Sequence, residues 1–511
     1  MKIIESRLGC FFWAFSQFTI LQILRTSKNV SWTKLPLLVS LVCTSGFVQF
    51  VDPNRAAVGT CMCVAFCMLS LVDGSLSNHV VASSVLALLA ITCYARNAAV
   101  HQNQLRKGVI IFCAILYTVT GIHKLNTDFF NPTHSCASMY IAGSISLMPG
   151  AFTAFPGIRR ILRCVVAAAP YGAAAFELLF PIALIKFFPS SRKISRKFLI
   201  IGALFHAVLA LPPSPLSVYP FSAIMVPVYV MLVPETVDLE SVINRVTCSG
   251  TAMGMVVAAL AIAYMQAPYL LFGERDLFEY PDYGLWGVSL VWNCLWWTAL
   301  VYANLRAVKS RAVGVVGPCK TPILAKLVLA CLVTFAMTPY IGLRNYPALA
   351  MFSNLRTEGP NPNSFMPSHD LFGYQKDWVE IRSSNFKPIQ DMQIDLGKLF
   401  PGKLMHTLTQ LGLSSEFYIC PPKWPLTNPE NSFTPFNVPF IEVRRRLSRG
   451  DLPDGIFVEY VRHFPDGAER REIFKSDYAY SEQDILQPLT LFEDILVSFR
   501  TFRNDYSPCR H

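Results

Sequence analysis

Residues 117–136 read YTVTGIHKLNTDFFNPTHSC and hold the most reactive set of side chains in the chain. An apolar run ends at Ile122, and His123, Lys124, Asn126 and Asp128 follow at once. An ammonium at the end of an apolar helix is costly to desolvate, which favours the neutral amine. A neutral amine can serve as a base. The plainer alternative is a lysine that snorkels to water beside a helix cap. Asn126 and Asp128 suit the capping and orienting of that turn.

Other polar residues interrupt apolar runs elsewhere. Asn78 and His79 open one stretch, Glu177 sits inside another, and His206 lies near the end of a third. Met351, Asn354 and Arg356 belong to the run MFSNLRTEG, just after the last apolar stretch. Each has an ordinary reading. His79 fits a cap or interfacial histidine and His206 a satisfied core histidine, while Glu177 could pair with a buried lysine such as Lys326. An ionisable group inside a membrane is nevertheless a functional candidate.

The elements that must position these residues are membrane helices. Of 511 residues, 53% are hydrophobic and 15% charged, against roughly 25% charged in soluble domains. Residues 198–233, 246–273 and 283–305 carry no charge, and each is long enough to cross a bilayer. Spans are expected at 9–24, 35–51, 56–72, 80–95, 107–123, 164–186, 198–211, 217–233, 250–271, 285–305 and 322–342, with a proline bend at 212–215 dividing two of them. The fold class is a polytopic all-α membrane bundle over 1–343, followed by a C-terminal extramembrane β-rich domain over 344–511. In that tail, 456–464 and 468–475 read as two strands around Pro465-Asp466-Gly467, and 378–382 as another.

Lysine and arginine orient the bundle. Arg96, Arg106 and Lys107, then Arg192, Lys193, Arg196 and Lys197, then Arg306, Lys309, Arg311 and Lys320 mark three cytoplasmic loops. Arg25, Lys28 and Lys34, and Arg159, Arg160 and Arg163, fall on the other side and do not fit. The net charge of +11 sits mostly in short loops, so it speaks of orientation and not of nucleic acid. Cys61, Cys63 and Cys67 read as small apolar residues with no carboxylate or histidine spaced to join them, so no metal is expected. Cys136, Cys420 and Cys509 fall on the oxidising side, where a disulfide can form.

The same polar segments carry a family resemblance. GIHKLNTDFF at 121–130 is similar to the K-L-[DN]-x-[DE]-[FW] segment of vitamin K-dependent gamma-carboxylases and of the HTTM (horizontally transferred transmembrane) domain proteins. Ser77-Asn78-His79 resembles that family's N-N-H segment, and Leu204-Phe205-His206 with the following proline bend resembles its F-H segment. MFSNLRTEG at 351–359 looks most like the bacterial-type members. The resemblance spans roughly residues 5–385. It implies a carboxylase of the carbon–carbon lyase class, with Lys124 as the base that deprotonates reduced vitamin K or a related hydroquinone and His79 as the assisting group. Asn78, His206 and Glu177 are then candidates for holding the quinol, and Asn126, Asp128, Met351, Asn354 and Arg356 for positioning. The implied partners are the lipid bilayer and a glutamate-containing peptide. The implied place is the ER membrane in a eukaryote or the cytoplasmic membrane in a bacterium. The sequence departs from the animal enzymes in having His123 for a second lysine and Asn126 for an aspartate. Its extramembrane part is also shorter than the region that holds a propeptide in those enzymes. The rival from another class is a non-catalytic protein that binds or transports a lipid or quinone.

The parity of the spans has a direct test. Tags placed in the loop around 192–197 and at the C-terminus are expected to report opposite compartments; a shared compartment would mean that the span count is wrong.

Overall fold

The structure, a computed structural model, describes residues 6–26, 56–73, 77–133, 135–146, 155–187, 192–212, 218–234, 238–248, 282–306, 320–351, 353–392, 411, 435–448, 452–476 and 484–502. The expected spans at 35–51 and 250–271, most of the proline bend at 212–215, Cys420 and Cys509 lie outside these residues. The described chain is mostly helical, with a four-stranded antiparallel sheet near its C-terminal end.

The helices are α1 (Arg7–Thr26), α2 (Ala56–Asp73), α3 (Asn78–Thr92), α4 (Ala98–His123), α5 (Cys136–Ser146), α6 (Pro156–Phe187), α7 (Arg192–Leu209), α8 (Tyr219–Leu232), α9 (Leu239–Cys248), α10 (Asp282–Arg306) and α11 (Ile323–Ala336). Two of them, over Ala98–His123 and Pro156–Lys186, are long and apolar enough to cross a membrane. At 1.5 Å per residue they measure roughly 39 and 46 Å. Several shorter apolar helices accompany them, including Tyr219–Leu232 and Ile323–Ala336. α6 starts at Pro156, before the expected 164. Proline is well tolerated in a first helical turn, and Arg159, Arg160 and Arg163 therefore lie in a helix and not in a loop. α5 and α9 were not expected; at 11 and 10 residues they are too short for a span-length reading.

By its contacts the chain divides into two units: Met1–Thr118 with Glu177–Val333, and Val119–Phe176 with Thr334–His511. In the first, α1 packs on α8 and α2, α2 on α3, and α7 and α8 on α10. Phe11, Phe15 and Phe18 of α1 recur on one face, and Phe15 and Phe18 meet Phe66 of α2, whose ring lies 5.7 Å from that of Phe15. All of α8 is buried, as a helix apolar on every side must be.

The second unit holds the sheet, in the order β2–β1–β3–β4: β1 is Trp378–Ser384, β2 Phe436–Pro439, β3 Phe457–His463 and β4 Glu469–Lys475. The expected strand–turn–strand is the β3–β4 hairpin, paired from Phe457↔Lys475 to His463↔Glu469. Its turn is closed by Asp466 Oδ1, which accepts from the Ala468 amide at 2.9 Å, with Gly467 at positive φ. Val379, Ile381, Val438, Val458 and Phe474 form a core with Phe440, Val443 and Leu447 of helix α12 (Phe440–Leu447). A one-turn helix over Thr127–Phe130 and helix α13 (Leu491–Leu496) complete this unit.

Candidate functional site

α4 ends at His123, and Asn126 starts the Thr127–Phe130 turn as its N-cap. The Asn126 Oδ1 accepts from the Phe129 amide at 2.8 Å, as the spacing of the segment leads one to expect. Between helix end and cap, Lys124 is only 5% exposed. Its Nζ donates to the Met351 carbonyl at 3.1 Å and stands 5.7 Å from the centre of the Phe129 ring. His123 is fully buried, and its Nε2 lies 3.0 Å from the Ala336 carbonyl at the end of α11. A carbonyl only accepts, so that ring nitrogen carries the proton.

The segment that receives Lys124 is MFSNLRTEG; its Phe352 lies outside the described residues. The Asn126 Nδ2 donates to the carbonyls of His123 at 2.9 Å and Ser353 at 2.5 Å. The Thr127 amide donates to the Asn363 carbonyl at 3.1 Å, and the Phe365 amide to the Leu125 carbonyl at 3.0 Å. Asn363 is the hub. Its Nδ2 reaches Asp128 Oδ2 and the Asn354 carbonyl, both at 2.7 Å, and its Oδ1 accepts from the Arg356 amide at 2.8 Å. Asn354 adopts φ of 52°, which asparagine tolerates. Its Oδ1 accepts from the amide of Cys136, the first residue of α5, at 2.8 Å. Leu349, also buried, holds φ of 57°, a conformation that costs leucine about 1–2 kcal/mol. The positioning candidates Asn126, Asp128, Met351, Asn354 and Arg356 thus join in one hydrogen-bonded group around Lys124. The group comes from two stretches more than 200 residues apart.

A second polar layer lies beyond it in the chain. Buried Glu358 accepts from the Asn345 Nδ2 at 2.5 Å and from the Thr357 amide at 3.0 Å. Burial pushes its carboxyl above the ordinary 4.5, against the pull of Thr357, Asn345 and Arg356. The Gln375 Nε2 ties Thr357 Oγ1 to the Pro339 carbonyl, 2.7 Å from each. At Gly359, with φ of 79°, a Cβ would stand 2.4 Å from the Phe502 ring, so only glycine fits. Asn363, Asn345, Gln375 and Glu358 were not expected from the sequence. The signal that could have found Asn363 is its place in Pro360-Asn361-Pro362-Asn363, a run shaped for turns.

The remaining candidates lie in the first unit. The His79 ring is 3.4 Å from the Gln22 Nε2 and 3.1 Å from the Ser77 Oγ. His206 is in a different neighbourhood. It is fully buried, bonded through Nε2 to the Tyr117 hydroxyl, and stacked on Trp297 with ring centres 5.2 Å apart. Tyr229 joins through the Tyr117 hydroxyl at 3.4 Å, and the Ser222 Oγ donates to the His206 carbonyl at 2.8 Å. Asn78 is buried in the first turn of α3. Glu177 is buried on α6, whereas Lys326 is exposed on α11 and is not the buried partner considered for it. Cys136 is disulfide-bonded. Among the described residues, no three His, Cys, Asp or Glu side chains are grouped to hold a metal.

Compared with protein-family models, curated proteins and solved structures, the chain matches none.

Two outcomes follow from this geometry. Asn363→Ala removes the hub amide and should cost about 2–4 kcal/mol, read as a lowered thermal midpoint in detergent. Exposed Asn361→Ala should leave the midpoint unchanged; equal losses would refute the hub. For Glu358, a carboxyl raised by folding binds its proton more tightly when folded. Its contribution is therefore complete below 4.5 and is lost as pH rises through the higher folded value. Glu358→Gln should flatten that fall in stability above pH 4.5, as seen in melting curves of the variant and parent across pH.

Proposed function

We propose that this chain is a polytopic membrane protein of the HTTM and gamma-carboxylase type, in which Lys124 acts as a base on a membrane-borne hydroquinone. The observation that carries the reading is the joining of the two most specific segments of the resemblance. GIHKLNTDFF and MFSNLRTEG meet through Asn126, Asn363 and the Lys124–Met351 bond. The amine is thereby held at a helix end, away from bulk water.

The membrane setting has its own support. α6 turns Ile161, Val165, Leu179, Ile182 and Ile185 outward, and α11 exposes Ile323, Leu324 and Leu327. Exposed aliphatic rows of this kind suit lipid and not water. The disulfide at Cys136 suits an oxidising compartment for the stretch after Lys124, hence the outer or lumenal side.

The chemistry follows the resemblance. A quinol hydroxyl presented to the Nζ lone pair gives up its proton. The quinolate adds O2, and the resulting strong base removes a proton from the γ-carbon of a glutamate side chain. CO2 joins that carbanion, and the quinol leaves as its epoxide with water. An isoprenoid-tailed quinol suits a membrane setting, and His79 is the assisting residue of this reading. The substrate of this reading is a glutamate-containing peptide.

Lys124→Ala in a membrane fraction should abolish quinol-dependent bicarbonate incorporation and epoxide formation while abundance and insertion persist. A small primary amine should restore part of the turnover. Undiminished turnover in the variant would overturn the role of Lys124. A parent protein with no quinol-dependent turnover would favour the binding or transport alternative.

A further inference from the structure

α13 is built inside out for a helix in water. Leu491, Phe492, Ile495 and Leu496 are all exposed, Leu491 at 76%. At 100° per residue these four positions fall within an arc of about 140°. The opposite side carries Glu493, which is buried. Its carboxylate closes a capping box with Thr490, accepts from the Tyr374 hydroxyl at 3.4 Å and pairs with Arg444 at 3.3 Å. The helix is therefore locked with Glu493 inward. Leu371 and Phe372 extend the apolar face, and the Phe372 and Phe492 ring centres lie 5.6 Å apart.

Both parts of this face are fastened to the chain that leaves α11. The Leu371 amide donates to the Ile341 carbonyl at 3.4 Å, and the His369 amide to that of Tyr340 at 2.7 Å. Arg344 caps the end of α13 by donating to the carbonyls of Ile495 at 2.5 Å and Leu496 at 3.0 Å. The Ser498 amide donates to the Leu343 carbonyl at 3.1 Å, and the Asn345 amide to that of Ser498 at 3.0 Å. Thr338–Ile341 is a 3-10 turn directly after α11.

We propose that Leu371, Phe372, Leu491, Phe492, Ile495 and Leu496 form an interfacial anchor that rests in the headgroup and upper acyl layer of the same membrane. The proposal rests on the reading that α11 spans that membrane. The occupant is the lipid surface because both parts of the patch, at Leu371 and at Ile495–Leu496, are bonded directly to the chain that leaves α11. Leucine and phenylalanine over a polar, inward-facing back are the composition of a helix lying in that layer.

The test uses full-length protein in phosphatidylcholine vesicles, with an environment-sensitive fluorescent amino acid at Phe492 or, separately, at Leu327 of α11. Emission at position 492 should be blue-shifted and quenched more by a nitroxide near the headgroup than by one deep in the acyl chain. Position 327 should be quenched by at least one of the two lipids. Quenching at 327 with none at 492 would overturn the anchor and leave the span standing; the patch would then belong to a second copy or another protein. No quenching at either position would overturn both. Leu491→Glu with Ile495→Glu, at exposed positions, should keep the far-UV spectrum and abolish the blue shift. An unchanged blue shift in that double variant would also overturn the anchor.

Discussion

Between the end of α4 at His123 and the turn that begins at Thr127 the backbone has left helical structure, and so has the described backbone from 351 to 365. Buried amides and carbonyls in such stretches must find partners or cost a few kcal/mol each. Here the two stretches satisfy one another. Asn126 and Asn363 each use both ends of a side-chain amide, and the main chains exchange bonds at Thr127 and Phe365. An asparagine amide is well suited to this role because it donates and accepts within one rigid plane. Lys124 is therefore positioned by a hydrogen-bonded frame and not by packing alone. The same frame reaches α5 through Asn354 and the stretch before β1 through Thr357 and Gln375.

Beyond that frame the second unit keeps charge buried in quantity. Arg445 pairs with Glu442 at 3.2 Å and with Asp494 at 2.7 Å, and it donates to the carbonyls of Glu493 and Val497. Burial raises the Glu442 carboxyl and lowers the Arg344 guanidinium, each against the pull of its oppositely charged neighbour. Such groups add little net stability, but removing one partner strands the other. Their effect is geometric: α12, α13 and the chain leaving α11 are held in one arrangement. That rigidity is what keeps the apolar side of α13 outward.

The hairpin was legible because a turn triplet with the right chemistry separates two stretches rich in strand formers, and the structure pairs them as read. β2 was not legible. All four of its residues are buried, so it shows no alternation, and it lies next to a helix of charged residues. Most described helices agree with the apolar runs, whereas α5 and α9 escape a pattern scaled to the bilayer. At the site, the cap at Asn126 could be read because capping is local. Asn363 could not, since its partners at 126, 128, 354 and 356 are united only by the fold. The aromatic surroundings of His206 were hidden for the same reason: Tyr117, Tyr229 and Trp297 come from three helices.

The Met351 carbonyl would be satisfied by any neutral donor. A serine or asparagine amide could make one bond to it without bringing a formal charge into a buried place. Lys124 makes that bond from a side chain only 5% exposed. The frame built from Asn126, Asp128, Asn354 and Asn363 fixes the turn through its own bonds. The place of the amine is therefore set by its neighbours' amides and carbonyls, which are themselves satisfied before the amine makes any contact.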